Sequence, residues 1–170
     1  MIFKLRIGRW RFTFSMAPLT DVVGVNSTLP DGNHILMWDF DNVPLDVIKS
    51  RLLYIQAIYG LSDIYILETK ANSNYIAYCF TEVSWRTAVE IIAQCPEVDW
   101  NFFKYGVYRG KFTLRVGPKC GRTPKLAAIL KSDCAETAKP RDLLEWVQYE
   151  TLEDNYISKL YQIGVGHSPW

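Results

Sequence analysis

The chain has 170 residues, enough for one domain with a sizeable core, and 49% of them are hydrophobic. Lysine and arginine total 19 and acidic residues 18, so the net charge of +1 excludes a uniformly basic or acidic protein. The charge is nevertheless uneven, because residues 101–132 hold eight basic residues and no acidic one, whereas residues 21–100 hold four basic and eleven acidic ones.

The cysteines and the apolar runs bear on the cellular compartment. The four cysteines, Cys79, Cys95, Cys120 and Cys134, form no C-x-x-C motif, which argues against a zinc site or a disulfide framework and is typical of a reducing cytosol. Lysine or arginine interrupts each short apolar run of the N-terminal segment, unlike a signal peptide, and no run has the length of a membrane span. We expect a cytoplasmic protein without a membrane partner.

Residues 1–33 are predicted to form a basic N-terminal strand followed by a loop. From Phe3 to Phe14 apolar residues alternate with basic ones, which predicts one strand kinked at Gly8 or two short strands. This segment is either an edge strand protected by its charge or a nucleic-acid contact. The prolines and the Asp-Gly-Asn turn of residues 17–33 predict a loop.

Residues 34–44, H-I-L-M-W-D-F-D-N-V-P, carry the most specific chemical signal. Side chains at i and i+2 of a strand leave on the same face, so we expect Asp39 and Asp41 to face one side while Phe40 faces the core. Two neighbouring carboxylates are unfavourable without a cation, which makes Mg²⁺ or Mn²⁺ a candidate. The alternative is that Asp41 or Asn42 caps the start of the next helix.

Residues 34–132 are predicted to form the core of an α+β fold. The patterns indicate strands at 34–41, 63–67, 75–80, 98–107 and 112–116, and helices at 45–59 and 85–95. The order β-α-β-β-α-β is that of the split βαβ, ferredoxin-like arrangement, which RNA-recognition (RRM-like) folds share. A short helix at 124–131 is predicted to close the unit.

Residues 133–170 are predicted to form a C-terminal helical extension, so that the chain makes one compact domain overall. Its apolar residues favour a helix over 140–160. This helix would either pack on the core or recruit a partner.

A third acid, Asp99, begins the predicted strand at 98–107. In the predicted topology this strand lies beside the strand that bears Asp39 and Asp41. The three carboxylates would then form a catalytic cluster that binds one or two Mg²⁺ or Mn²⁺ ions. The alternative is that Asp99 is simply solvated at the entrance of its strand.

The basic segment predicts a surface for nucleic acid or nucleotides. Cations and aromatic residues are interleaved along a predicted hairpin and the loop after it, where they would contact both phosphates and bases. The cations are Lys104, Arg109, Lys111, Arg115, Lys119, Arg122 and Lys125.

Taken in order over about residues 34–125, these features resemble the archaeo-eukaryotic primase superfamily, the primase-polymerases of plasmids, viruses and archaea. L-M-W-D-F-D is similar to its first motif, an apolar strand ending in D-x-D, which implies that Asp39 and Asp41 are metal ligands. Val98-Asp99 is similar to its third motif, an apolar residue followed by an acid.

The resemblance also implies a nucleotide site. L-R-V-G-P-K resembles the downstream basic element of the family and implies that Arg115 and Lys119 contact the triphosphate or the template. The second motif, S-x-H, supplies a His for the triphosphate, whereas this chain has Ser73-Asn74-Tyr75. Because a Tyr hydroxyl has no positive charge at neutral pH, binding at Ser73 and Tyr75 would be weak unless Lys70 or Arg115 substitutes.

The resemblance implies a DNA replication protein of viral or plasmid type that acts in the host cytoplasm. It would carry out metal-dependent nucleotidyl transfer from nucleoside triphosphates on a single-stranded DNA (or RNA) template, with a helicase or another replication protein as a partner. The absent His favours an alternative, a catalytically weak or inactive single-strand-binding replication module. A lesser alternative is an NYN-like metal-dependent nuclease. W-D-F-D-N-V-P also resembles the first motif of such nucleases, although their fold needs alternating parallel β and α units.

Overall fold

The computed structural model describes residues 2–16 and 18–152, which form a mixed α+β fold with mostly antiparallel sheets. The strands are β1 (Ile2–Ile7), β2 (Trp10–Ser15), β3 (Leu19–Asn26), β4 (His34–Asp41), β5 (Ile64–Lys70), β6 (Asn74–Val83), β7 (Thr113–Arg115), β8 (Lys125–Leu130) and β9 (Trp146–Leu152). The helices are α1 (Leu45–Tyr59), α2 (Trp85–Ala93) and α3 (Trp100–Arg109), and a 3-10 turn spans Pro140–Asp142.

The strands form three sheets with the orders β4-β6-β5-β8, β7-β3-β9 and β1-β2. β4 forms one edge of the four-stranded sheet, where it pairs with β6. Its H-I-L-M-W run is buried, and Trp38 and Phe40 belong to the same hydrophobic core as Ile48 and Leu52 of α1. α2 packs against β4, and β4 also contacts β7 of the second sheet. The C-terminal end of β4 therefore lies where the two larger sheets meet.

Several predicted elements are confirmed. The N-terminal segment forms two strands joined at Gly8, which has a φ of 58°. α1 covers the predicted 45–59 and ends at Gly60 in the left-handed region, while the Ser84 side chain caps α2 by accepting the Thr87 N–H. The hairpin of β5 and β6 is present as predicted.

Among the residues that the structure describes, no helix is long and apolar enough to cross a membrane.

The predicted strand at 98–107 is wrong, because this segment forms α3. The Asp99 carboxylate accepts the Phe102 N–H at 2.7 Å and so caps the helix. Phe102, Phe103 and Gly106 follow a helical spacing and meet Phe112. The aromatic residues favour a strand, but the cap and this apolar stripe favour a helix. The predicted basic hairpin is therefore a helix, a turn and the short strand β7.

Three further predictions are wrong because sheet pairing overrides the local pattern. The predicted loop over 17–33 contains β3, which lies between β7 and β9. The predicted helix at 124–131 is instead β8, which adds to the edge of the sheet through β5. The predicted helix at 140–160 is a 3-10 turn and then β9, as far as Leu152; the remainder of that prediction lies outside the described residues.

We expect Gly106→Ala to destabilise the fold by about 1–3 kcal/mol, because overpacking a filled core costs that much. A Cβ at this position would lie 2.3 Å from the Phe112 ring, which is fully buried and cannot move away. Urea unfolding measures the change. Asn101→Ala, on an exposed position of the same helix, is the control and should alter stability by no more than about 0.5 kcal/mol. Equal stability of both variants would contradict the close approach.

Candidate active site

Strand register places Asp39 and Asp41 on one face of the four-stranded sheet. Asp39 lies opposite Ile76 and Asp41 opposite Asn74, and residues directly opposite in an antiparallel pair share a face. Phe40 points to the other, buried side. The prediction that the two carboxylates share a face is confirmed.

This face forms a cleft of about 470 Å³ with the second sheet. Its walls come from β4, β5 and β6 on one side and from β7, β9 and the loop after β7 on the other. Acidic, basic and amide side chains line it, namely Asp39, Asp41, Asn42, Lys70, Asn74, Arg115, Lys119 and Arg122, together with Tyr149. The aspartates of the D-x-D motif and several of the predicted phosphate-binding cations therefore share one cleft.

Asp39 is the most perturbed acid of the cleft. Desolvation, and then the charges of Asp41 and Asp99, raise the pKa of Asp39 to about 7, and Arg115 offsets only part of this. An acid with this pKa exchanges its proton near neutral pH. A cation beside it would favour the ionised form.

Asp41 lies nearer the mouth of the cleft, and more neighbouring groups stabilise its ionised form. Burial and the charge of Asp99 raise its pKa, while a hydrogen bond from the Asn74 side chain and the charges of Lys119 and Lys70 lower it. The same amide that satisfies one Asp41 oxygen also fixes the rotamer of that carboxylate. The pair thus consists of a half-buried acid, Asp39, and an exposed acid at the rim, Asp41, which a hydrogen bond orients.

Asp99 lies close enough to Asp39 and Asp41 to act on both electrostatically, but its carboxylate is used in a different way. Its backbone N–H donates to the Asp39 carbonyl oxygen at 2.8 Å, while its carboxylate caps α3. Within residues 2–16 and 18–152, no three His, Cys, Asp or Glu side chains are arranged as a metal site. Asp39 and Asp41 therefore form a pair, and Asp99 lies near them with its carboxylate directed to the N-terminal end of α3.

The donor set of this pair fits a hard cation. Two carboxylates on one face supply the oxygen ligands that Mg²⁺ and Mn²⁺ accept, and Mg²⁺ is commonly held through only one or two carboxylates. Asp39 and Asp41 would hold such an ion.

The cations of the cleft are fixed by backbone groups. The Arg115 guanidinium donates to the Thr69 carbonyl at 2.9 Å and to the Arg122 carbonyl at 3.3 Å. Lys119 and Arg122 exchange backbone hydrogen bonds of 3.0 Å across a tight turn. The central residues of this turn, Cys120 and Gly121, have φ of 50° and 74°, as a type I′ turn requires. The turn holds Lys119 and Arg122 side by side at the cleft.

Other predicted site residues lie elsewhere. Tyr75 is opposite Phe40 in the register, so it faces the buried side and does not line the cleft. Ser73 lies at the hairpin turn, where its hydroxyl donates to the Asn42 side chain at 3.0 Å. At the motif-two position, the residue that faces the aspartates is therefore Asn74.

The predicted nucleic-acid-binding cations divide into separate groups. Arg122 lines the cleft, and Lys125 begins the edge strand β8. Lys104 and Arg109 are exposed on α3, whereas Lys111 forms an ion pair of 2.6 Å with Glu145.

Sequence reasoning missed several residues of the cleft, including the polar side chains of Asn42, Thr69, Asn74 and Tyr149. The residue type of Asn42 gave a usable signal, because Asn tolerates the left-handed conformation. Asn42, directly after the D-x-D motif, has a φ of 58°. Tyr149 gave none, because the sequence pattern predicts a helix where β9 lies. Burial and the charge of Asp39 raise the pKa of Tyr149.

No family model, curated protein or solved structure matches the chain.

Proposed function

We propose that this chain is a primase-polymerase-like nucleotidyltransferase that extends a nucleic-acid strand on a single-stranded template. One observation carries the proposal: the two aspartates of one strand and the cations Arg115, Lys119 and Arg122 line the same cleft. Carboxylates that can hold a metal ion, opposite cations that can hold a triphosphate, are the parts that transfer of a nucleotidyl group requires.

Each side of the cleft has a separate role in this proposal. Lys119 and Arg122, placed side by side by their turn, bind the phosphates of the incoming nucleotide. The Arg115 guanidinium, which donates to two carbonyl oxygens, orients these phosphates. Asp39 and Asp41 would hold Mg²⁺ or Mn²⁺, and such an ion would supply activation of a 3′-hydroxyl and neutralisation of charge on the leaving pyrophosphate. Lys70, across the cleft from β7, adds the charge that a motif-two His would supply.

In this proposal the catalytic unit is the ferredoxin-like part of the fold. β4, α1, β5, β6 and α2 follow the order β-α-β-β-α, and β6 pairs with both β4 and β5. α3 replaces the strand expected next. The second sheet, through β7 and β9, supplies the opposite wall of the site.

A second candidate is a replication-associated module that binds single strands without polymerising. Tyr75 favours it, because this side chain faces the buried side and leaves the motif-two position to the uncharged Asn74. The NYN-like nuclease is less compatible, since the strands after α1 form an antiparallel hairpin and not alternating parallel units. A helicase partner and a viral or plasmid source belong to the primase proposal alone.

Differential alkylation of two cysteines tests nucleotide binding directly. Cys120 is exposed in the turn between the cleft residues Lys119 and Arg122, Cys134 is exposed outside that turn, and Cys79 and Cys95 are buried. We expect a nucleoside triphosphate with Mn²⁺ to slow iodoacetamide labelling of Cys120 several-fold and to leave Cys134 unchanged. Mass spectrometry of the labelled peptides measures both rates in one sample.

Lys119→Gln is the matched variant. It removes the charge and keeps a polar side chain that is one atom shorter, so protection of Cys120 should require about 10- to 150-fold more nucleotide, since a charge-assisted hydrogen bond contributes about 1.5–3 kcal/mol. Equal labelling of Cys120 with and without nucleotide would refute a triphosphate site at this turn. Protection without metal dependence would favour the binding module.

A further inference from the structure

We propose that the outward face of α3 is a platform on which the bases of a single-stranded nucleic acid stack as the strand leads into the cleft. This platform consists of Trp100, Lys104, Tyr105, Tyr108 and Arg109. It deepens the proposed function, on which it rests, by naming a surface for the strand outside the cleft itself.

The face is aromatic and unusually exposed. Trp100 is 66% and Tyr108 87% exposed, and Tyr105 is 50% exposed. Trp100, Lys104 and Tyr108 recur every four residues, so they lie along one side of the helix over about 12 Å. Exposed aromatic rings at this spacing offer successive stacking surfaces, which single-strand-binding proteins use without sequence preference.

The aromatic rings are supported from below. Trp100 lies 6.0 Å from Phe103, which in turn stacks near Phe112 in the core. The Lys104 ammonium lies 4.8 Å from the centre of the Tyr105 ring. These contacts hold the Trp100 and Tyr105 rings in place, which limits the entropy that binding must remove.

The charge of the helix complements a phosphate backbone. α3 contains Lys104 and Arg109 and no acidic residue. The Arg109 side chain donates to the Tyr105 carbonyl at 3.3 Å, which places its guanidinium at the C-terminal end of the platform. Cations beside exposed rings are the combination that single-strand-binding surfaces use.

Both ends of α3 adjoin the cleft. At the N-terminal end, Asp99 donates its backbone N–H to the Asp39 carbonyl oxygen. At the C-terminal end, Arg109 is near enough to Tyr149, a cleft residue, to act on it electrostatically. The N-terminal end of the platform therefore lies beside the strand that bears the two aspartates.

Fluorescence anisotropy of a labelled oligothymidylate, with the full chain in EDTA, tests the platform. We expect Trp100→Ala and Tyr108→Ala each to weaken binding by about 5- to 150-fold, the range for loss of one base–aromatic stack. Trp100→Phe and Tyr108→Phe retain a ring and should retain most of the affinity. Lys104→Ala should lower the slope of log affinity against log salt by about 1.

Tyr54→Ala on α1 is the matched control, since this Tyr is 59% exposed on a helix and does not line the cleft. It should bind as wild type does, and oligouridylate should bind like oligothymidylate while duplex DNA binds more weakly. Wild-type affinity of both alanine variants, or an equal loss with Tyr54→Ala, would overturn the platform. Cys120 protection by nucleotide, measured on the same variants, reports on the cleft separately.

Discussion

Replacing Asp39 and Asp41 together with Asn is expected to reduce metal-dependent nucleotide incorporation by about 100-fold or more while leaving single-strand binding intact. Loss of ligands to a catalytic metal removes several kcal/mol of stabilisation of the transition state. The Asn amides keep the shape of the side chains, so the cleft should remain folded. The assay combines the protein with single-stranded DNA, labelled nucleoside triphosphates and Mn²⁺ or Mg²⁺.

Binding measured in EDTA separates the role of the aspartates in catalysis from a role in holding the strand. The variant removes the negative charge of the aspartate pair from a cleft that also contains Arg115 and Lys119, so its affinity for oligothymidylate should be equal or higher. Asp46→Asn, an exposed acid in the first turn of α1, is the control and should match wild type in both assays. Weaker strand binding by the double variant would contradict a role limited to the metal.

If wild type makes no product but binds single strands without metal, the binding module becomes the better description. A ribonucleotide and a deoxyribonucleotide series in the same assay would identify the sugar that is used. The charge distribution at the turn of Lys119 and Arg122 is common to both functions, and only incorporation that depends on Asp39 and Asp41 distinguishes them.

The sequence was most informative where one element determines its own geometry. Side chains alternate between the two faces of a strand, so Asp39 and Asp41 share a face whatever lies around them, and β4 has that arrangement. The helix of residues 45–59 was predictable for the same reason, since its apolar stripe and Gly60 are local signals.

The opposite wall of the cleft was not predictable, because it depends on pairing between distant segments. β3 pairs with β9 across more than a hundred residues, and the 124–131 segment becomes a strand only because β5 offers it an edge. Its K-L-A-A-I-L sequence contains good helix formers, so local propensity favoured the wrong structure. Tyr149 belongs to the wall that this pairing builds.

Tyr75 illustrates a different limit. The motif comparison aligned it with a His, but the register of β6 with β4 directs it to the same side as Phe40. A shift of one residue in register reverses which side chains face the cleft. The sequence identified the hairpin correctly and could not determine which of Asn74 and Tyr75 would meet the aspartates.

In metal-free protein, Asp39→Asn is expected to become progressively more stable than wild type as the pH rises from 5 to 8. The folded-state pKa of Asp39 is raised from 3.8 to about 7, so the folded protein binds this proton more tightly than the unfolded chain. The free energy of unfolding of wild type therefore falls as the pH rises between about 4 and 7, and the Asn variant lacks this loss.

Between pH 5 and 8 the stability gap should widen by about 1–3 kcal/mol, or a few to about 10 °C in Tm for a chain of this size. Thermal unfolding by circular dichroism in EDTA measures the gap, with Asp46→Asn as a control whose gap should stay constant. Mg²⁺ added at pH 8 should raise the Tm of wild type, because ligand binding to the folded state stabilises it, and should leave Asp39→Asn nearly unchanged. A stability gap that does not change with pH would show that Asp39 titrates as an ordinary surface carboxylate. The aspartate pair would then have no need of a bound cation.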